Sequence, residues 1–137
     1  MSRIGFVMPA YNEELLLAET VEGVLPFVDK LVIVNDGSKD DTRRIADDLQ
    51  ARHVGRVVAQ HHVKNKGVGG AVVTGLRALL DDDTIDALGI ISSDNQCDPN
   101  LIRRYRHVLD TRPEVDVAKG SRFLHKETLH NMPRFRY

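Results

Sequence analysis

Three short polar runs carry most of the side chains that could bind a ligand. They are Pro9-Ala10-Tyr11-Asn12-Glu13, Asn35-Asp36-Gly37-Ser38 and the run from Ser92 to Pro99. Each run follows an apolar, β-branched stretch and would therefore leave the carboxyl end of a strand. In an open parallel sheet, ligands bind outside those ends, where the strand order reverses. Each run alone is typical of a turn or a helix cap, and it is their coincidence at one sheet edge that predicts a binding site.

The elements that must position these runs alternate between short apolar strands and longer stretches of helical period. Such alternation is typical of βα units that form a parallel sheet. The expected strands cover residues 4–8, 30–34, 55–59, 87–92 and 114–118. The expected helices run from an Asn12 cap to about Leu25, from a capping box of Ser38 and Asp41, from near Gly69, and from an Asp98 cap followed by Pro99. The sequence therefore predicts an α/β fold with a mostly parallel sheet flanked by helices.

Length and charge narrow the class of protein. The chain has 137 residues and a net charge of −1, which suits one domain and gives no general attraction to nucleic acid. Residues 119–137 differ, because five basic side chains against Glu127 give that segment a charge of +4. With Cys97 as its one cysteine, no signal peptide and no apolar run near the roughly 20 residues that span a bilayer, the chain is expected to be cytoplasmic. We expect residues 1–118 to form the α/β domain and residues 119–137 a basic C-terminal segment.

Six segments follow one another along the chain in a definite order. They are PAYNEE at 9–14, NDGSKDDT at 35–42, NKGVGGAVVTG at 65–75, DNQCDP at 94–99, GSRF at 120–123 and MPRFR at 132–136. Together they resemble glycosyltransferase family two, and most closely its polyprenyl-phosphate sugar synthases of the dolichyl-phosphate mannose synthase type. The resemblance covers nearly the whole chain and implies an inverting enzyme with a Rossmann-like GT-A fold.

The resemblance implies a UDP- or GDP-linked sugar as donor. The turn of Pro9, Ala10 and Tyr11 would wrap the nucleoside, with the Tyr11 ring stacked on the base. Glu13 would bind the ribose hydroxyls. Asp36 would accept a hydrogen bond from the base N–H, and such a bond to a charged group contributes roughly 1.5–3 kcal/mol. The first two loops would therefore orient the nucleoside.

The resemblance also implies charged groups beside the diphosphate. Lys66, in the glycine-rich turn, would lie near the nucleotide or its phosphates. Asp94 would bind Mg²⁺ or Mn²⁺, with Gln96 as a second oxygen ligand. Such a cation stabilises the charge that builds on the departing nucleoside diphosphate, which makes Asp94 the expected catalytic residue. The thin protein shell is acceptable because Mg²⁺ prefers one or two carboxylates together with substrate phosphates.

The implied acceptor is a polyprenyl phosphate. Binding of this lipid would bring the protein to the inner face of a membrane, where it would associate peripherally. The acceptor phosphate is already mostly anionic at pH 7, because its second pKa lies near ~6, so no strong base is needed. Arg122, Arg134 and Arg136 would hold the acceptor phosphate or the donor diphosphate. The basic segment would also be attracted to anionic headgroups.

The chain departs from the family pattern in two ways. Ser92 stands where the family usually has the first acid of an Asp-x-Asp pair, and Asn95 stands where a glycine usually precedes the glutamine. The family's catalytic domain is also longer than this chain, so we expect an incomplete catalytic domain. A truncated or degenerate module that binds a nucleotide sugar without turnover is therefore the alternative to an enzyme. The oligomeric state stays open.

Other classes of protein would need motifs that this sequence lacks. A nicotinamide-binding Rossmann domain needs G-x-G-x-x-G after the first strand, and a P-loop NTPase needs G-x-x-x-x-G-K-[ST]; neither is present. A receiver domain needs an aspartate after the third strand, where this chain has Ala59-Gln60-His61-His62. We expect His61 and His62 in a solvated loop, and Cys97 has no second thiol with which to bind zinc.

Overall fold

The structure, a computed structural model, describes residues 1–120 of the chain. Within them the strands are Ile4–Ala10 (β1), Lys30–Asn35 (β2), Val57–His61 (β3) and Ala87–Ile90 (β4). The α-helices are Leu17–Val24 (α1), Thr42–Arg52 (α2), Gly67–Leu80 (α3) and Asn100–Thr111 (α4). A single 3-10 turn, Leu25–Phe27, follows α1.

The four strands pair in parallel in the order β3-β2-β1-β4. From β1 the chain adds β2 and β3 on one side and then crosses over, so that β4 pairs with the other edge of β1, with Ile4 opposite Ala87 and Val7 opposite Ile90. The strand order therefore reverses between β1 and β4. The crevice outside the carboxyl ends of these two strands is where this class of sheet binds ligands.

Helices cover both faces of the sheet, because alternate side chains of each strand point to opposite faces. On one face Phe6 and Met8 of β1 pack in a cluster with Leu17 of α1 and Leu49 of α2. On the other face Val7 packs in a separate cluster with β2 and α3; its other buried members are Val32, Val34, Ala71 and Leu79. Burial of each such side chain contributes about 1.5–3 kcal/mol. The expected α/β fold with a parallel sheet flanked by helices is confirmed.

A glycine lets α3 lie close to the central strand. A Cβ added at Gly75 would lie 2.9 Å from Val7 Cγ2 and closer still to Val7 Cγ1. Val7 is fully buried on a strand that is paired on both sides, so it has little freedom to move. The close approach of α3 to β1 therefore requires glycine at position 75.

Two expected elements differ from the structure near the loops. The first helix begins at Leu17, not after Asn12, and it ends at Val24 because Pro26 lies in the 3-10 turn that follows. The third strand runs from 57 to 61, two residues later than expected. Gly55, at φ 79°, belongs to the turn before this strand, because a positive φ does not fit an extended ladder.

The expected fifth strand at 114–118 is wrong, since the structure has no strand there. Its alternation of acidic and apolar residues fits a strand, yet Val117 is 80% exposed. No strand within residues 1–120 pairs with this segment, and an extended segment without a ladder partner is not a strand. Among the helices of this same part of the chain, none has the length and apolar character needed to cross a bilayer.

Candidate functional site

Hydrogen bonds join the loops that follow β1 and β2. Asn12 has φ 53°, a left-handed conformation that Asn tolerates. Its N–H donates to Ser38 Oγ at 3.0 Å, and its Oδ1 accepts from the Lys39 N–H at 2.9 Å. The Glu13 N–H donates to Thr42 Oγ1 at 2.8 Å. The expectation that Asn12 and Ser38 cap helices is therefore wrong, because both side chains instead hold the two loops together.

A cleft of about 240 Å³ opens where the strand order reverses. It is lined by the ends of β1 and β4, the loops after them and the first turn of α3; these residues are Pro9, Glu13, Val68, Ile90, Ile91, Ser92, Ser93, Asp94 and Cys97. Three of the expected site residues, Pro9, Glu13 and Asp94, thus share one cleft. Pockets that enclose a whole ligand have volumes of roughly 300–1,000 Å³, so this cleft has room for part of a larger ligand.

The loop after β4 is held in shape by α1 and by its own hydrogen bonds. Thr20 Oγ1 donates to Ser93 O at 3.1 Å, and the Gln96 N–H donates to Asp94 Oδ1 at 3.2 Å. Asn95, which replaces the family's usual glycine, has φ 58°. Because Asn adopts this left-handed conformation more readily than other residues with a side chain, Asn95 is compatible with the turn.

The cleft is negatively charged on the wall that Glu13 and Asp94 share. Burial raises the pKa of Glu13, and the Asp94 and Asp40 carboxylates raise it further. Residues 1–120 contain no group of three His, Cys, Asp or Glu side chains arranged to hold a metal ion. Asp94 therefore offers one carboxylate, and this donor set fits a divalent cation only if bound phosphates complete its shell, as Mg²⁺ prefers.

Asp36 lies at the same edge of the sheet but deeper. It is 3% exposed, and its N–H donates to Ala10 O at 2.9 Å, which joins the ends of β1 and β2. Its Oδ1 accepts from the Lys66 N–H at 2.8 Å and lies 2.7 Å from His62 Nδ1. Although burial opposes ionisation, the hydrogen bonds from Lys66 and His62 hold the pKa of Asp36 below its usual range. Asp36 does not line the cleft that contains Asp94.

Of the other expected site residues, Ala10 is 2% exposed at the end of β1 and does not line the cleft. Tyr11 is 44% exposed, and Lys66 and Gln96 are also exposed. All three side chains are accessible to solvent, but none of them lines the cleft. Three expected phosphate-binding residues fall outside the described part of the chain: Arg122, Arg134 and Arg136.

The two histidines at the end of β3, His61 as its last residue and His62 directly after it, correct an expectation from the sequence. His62 is buried, not solvated, and its Nε2 lies 2.8 Å from Thr74 Oγ1. His61 Nε2 lies 2.7 Å from Asp47 Oδ1. Because side chains alternate along a strand, two adjacent histidines at a strand end must point to opposite faces. This alternation in the sequence could have predicted that one of the two histidines is buried.

A larger cavity, of about 340 Å³, lies between α4 and the 3-10 turn. Its charged groups already have partners: Arg103 stacks 4.8 Å above the ring of Phe27, and Arg106 donates to Asp29 Oδ2 at 2.8 Å. The cavity is also lined by Met1, which places it at the amino end of β1. It is therefore remote from the loops that hold Glu13 and Asp94.

Comparison with known proteins gives the family of the chain. The family model described as Glycosyl transferase family 2 matches residues 6–136. A UDP-N-acetylglucosamine–dolichyl-phosphate N-acetylglucosaminyltransferase from Methanococcus voltae is 29% identical over 95% of this chain and 56% of its own length. The polyprenol monophosphomannose synthase of Mycolicibacterium smegmatis is 29% identical over 93% of this chain and 48% of its own length. The chain thus spans about half the length of these curated relatives.

A solved structure has the same fold. The mannosyltransferase PcManGT from Pyrobaculum calidifontis, in complex with GDP-Man and Mn²⁺, superimposes with a TM-score of 0.64 at 20% identity, over 80% of this chain and 33% of its own. The likeness agrees with the parallel sheet and with the reversal of strand order between β1 and β4. This chain therefore belongs to glycosyl transferase family 2 and has the GT-A fold, as its resemblance to polyprenyl- and dolichyl-phosphate sugar synthases implied.

Proposed function

We propose that the chain binds a nucleoside-diphosphate sugar at the carboxyl edge of its sheet and transfers the sugar to a polyprenyl phosphate. The observation that carries this proposal is the cleft at the reversal of strand order, where Glu13 and Asp94 face one space. The family match supports sugar transfer, and the names of the two curated relatives support a UDP-linked donor and a lipid-phosphate acceptor.

The nucleoside is proposed to lie over residues 9–11, with its base N–H donated to Asp36 and its ribose held by Glu13. The hydrogen bonds between the first two loops support this placement, because they join Glu13 and the segment after Asp36 into one rim. The diphosphate would then extend toward Asp94 along the cleft, with Lys66 and Arg122 supplying positive charge. These roles are part of the proposal.

The proposed reaction is a single displacement. An oxygen of the acceptor phosphate forms a bond to the anomeric carbon while the bond from that carbon to the diphosphate oxygen breaks, and the electron pair leaves with the nucleoside diphosphate. The configuration of the anomeric carbon is thereby inverted. No general base is required because the acceptor phosphate is mostly ionised above about pH 6. A divalent cation held by Asp94 and Gln96 would neutralise charge on the diphosphate.

The two parts of the chain are proposed to divide the substrates. Residues 1–118 would bind most of the donor. The basic segment at 119–137 would approach the acceptor phosphate and, through Arg122, the donor diphosphate. Its charge of +4 favours the surface of a membrane with anionic lipids. We therefore propose peripheral association with the cytoplasmic face of a membrane.

A transfer assay tests this function. Radiolabelled UDP-GlcNAc or GDP-Man is incubated with a polyprenyl phosphate in detergent, with and without Mn²⁺, and label is counted in the organic phase. The expected result is a labelled lipid that requires both substrates. Binding of the donor without any product would support a binding module and refute transfer. The absence of both binding and product would refute the whole proposal.

Two matched variants test the role of the cleft. Asp94→Asn should abolish the increase in donor affinity that Mg²⁺ or Mn²⁺ produces, because it removes the carboxylate in the cleft. Asp98→Asn is the control, since Asp98 lies in the same loop but bonds Asn100 and does not line the cleft. Affinity is measured by isothermal titration calorimetry. An Asp94→Asn variant that keeps the cation effect would contradict the metal assignment.

A further inference from the structure

A polar chain, buried at Asp36 and His62 and half-buried at Thr74, runs from the loop after β2 to the middle of α3. Its three members are Asp36, His62 and Thr74, with distances of 2.7 Å from Asp36 Oδ1 to His62 Nδ1 and 2.8 Å from His62 Nε2 to Thr74 Oγ1. The side chains of His62 and Asp36 are 6% and 4% exposed. Burial of polar groups costs free energy unless they are paired. Two titratable groups buried at the edge of the candidate site therefore suggest a functional role.

The chemistry of these groups fixes the direction of the hydrogen bond between His62 and Asp36. An ionised carboxylate can only accept hydrogen bonds, so His62 Nδ1 must carry the hydrogen that points to Asp36. His62 Nε2 pairs with the Thr74 hydroxyl, which donates to a neutral ring and accepts from a protonated one. The Lys66 N–H also donates to Asp36 Oδ1. Two donors on one oxygen fix the rotamer of the carboxylate.

The surroundings hold this chain rigidly. The His62 N–H donates to Asn35 O at 2.9 Å, which ties the histidine to the end of β2. Thr74 precedes Gly75, whose contact with Val7 fixes α3 against β1. On the other side, a Cβ at Gly37 would lie 2.6 Å from Asn65 N, so the two loops also touch through their backbones.

We propose that His62, supported by Thr74, is a positioning residue that presents the second oxygen of Asp36, Oδ2, to the ring N–H of a nucleotide base. This inference rests on the proposed function, which assigns the base to Asp36. A fixed, ionised acceptor selects uracil and guanine, whose rings carry an N–H at this edge. It disfavours cytosine and adenine, which present a bare ring nitrogen there and would leave the carboxylate unpaired. His62 thus acts on the choice of base, through Asp36.

The test compares nucleotides as well as variants. Isothermal titration calorimetry measures the affinity of the full chain for UDP, GDP and CDP. The wild type should prefer UDP or GDP to CDP. Thr74→Val and His62→Leu should weaken binding of the preferred nucleotide about threefold to tenfold, the effect of one lost hydrogen bond, and should leave binding of CDP nearly unchanged. His62→Asn, whose amide can still donate to Asp36, should recover part of the preference.

A control variant at another histidine separates a general effect of substitution from an effect on the choice of base. His53→Asn changes a histidine at the carboxyl end of α2 that bonds Glu22 of α1 and should leave the preference intact. Equal losses for UDP and CDP would show a merely structural role and overturn the inference while leaving the proposed function in place. A wild-type chain that binds none of the nucleotides would overturn both.

A measurement on the wild type alone keeps the inference testable if a variant fails to fold. The ¹⁵N chemical shifts of the His62 ring should show a protonated Nδ1. A ring protonated only at Nε2 could not donate to Asp36 and would overturn the inference.

Discussion

Gly75→Ala tests the close contact that positions α3 against the sheet. The added Cβ would overlap both methyl groups of Val7, and neither partner can move freely because Val7 is fully buried on the central strand. Overpacking of this kind costs about 1–3 kcal/mol. Alanine returns about 0.5–1 kcal/mol through its higher helix propensity. The unfolding free energy should therefore fall by roughly 0–2.5 kcal/mol.

Urea denaturation followed by circular dichroism measures this loss, and Gly69→Ala is the matched control. Gly69 lies on the same helix, but a Cβ there would have no heavy atom within 4 Å, so the control should be as stable as the wild type or more stable. A second check uses Val7→Ala, which removes the methyl groups that the new Cβ would meet. The double variant should be more stable than the sum of the single effects predicts, by about 0.5 kcal/mol or more.

The result that would refute this reasoning is a Gly75→Ala protein as stable as Gly69→Ala. It would show that α3 can move away from β1 at no cost. Thr74, the residue before Gly75 on α3, would then have no fixed place from which to hold His62.

Three further predictions concern charge and packing. Glu13→Gln should raise Tm at pH 7. Burial and neighbouring carboxylates raise the pKa of Glu13, so its ionised form opposes folding above about pH 4.5. A gain in Tm that persists at pH 3 would contradict this cause. Asp82→Asn should lower Tm at pH 7, since hydrogen bonds from Lys30 and Thr84 hold the pKa of Asp82 below its usual range. That difference should vanish as the pH falls well below 4, and an effect independent of pH would exclude the ionic cause. Leu49→Ala should cost about 2–5 kcal/mol in urea denaturation, whereas Leu15→Ala, at a position 88% exposed, should cost almost nothing; equal costs would contradict the assigned core.

The order of elements and the location of the site could be predicted from the sequence because both depend on local patterns. Apolar β-branched runs between helical stretches predicted β1, β2 and β4 close to their observed bounds. Polar runs directly after strands predicted that Glu13 and Asp94 would lie at one edge, and they share the cleft.

What the sequence did not reveal depends on tertiary contacts. Asn12 and Ser38 have the side chains of helix caps, yet each bonds the opposite loop. The segment at 114–118 alternates like a strand but has no partner strand among residues 1–120. The burial of His62 requires both Asp36 and Thr74 to be close in space, and no spacing in the sequence encodes that proximity.

Mapping of UDP and GDP binding by ¹H–¹⁵N correlation spectra tests most directly whether three separate loops form one donor site. The largest shift changes should occur at residues 9–13, 36–37 and 92–96, with smaller ones near Lys66. Changes confined to the cavity between α4 and the 3-10 turn, or no change at millimolar nucleotide, would contradict the assignment of this edge of the sheet as the donor site.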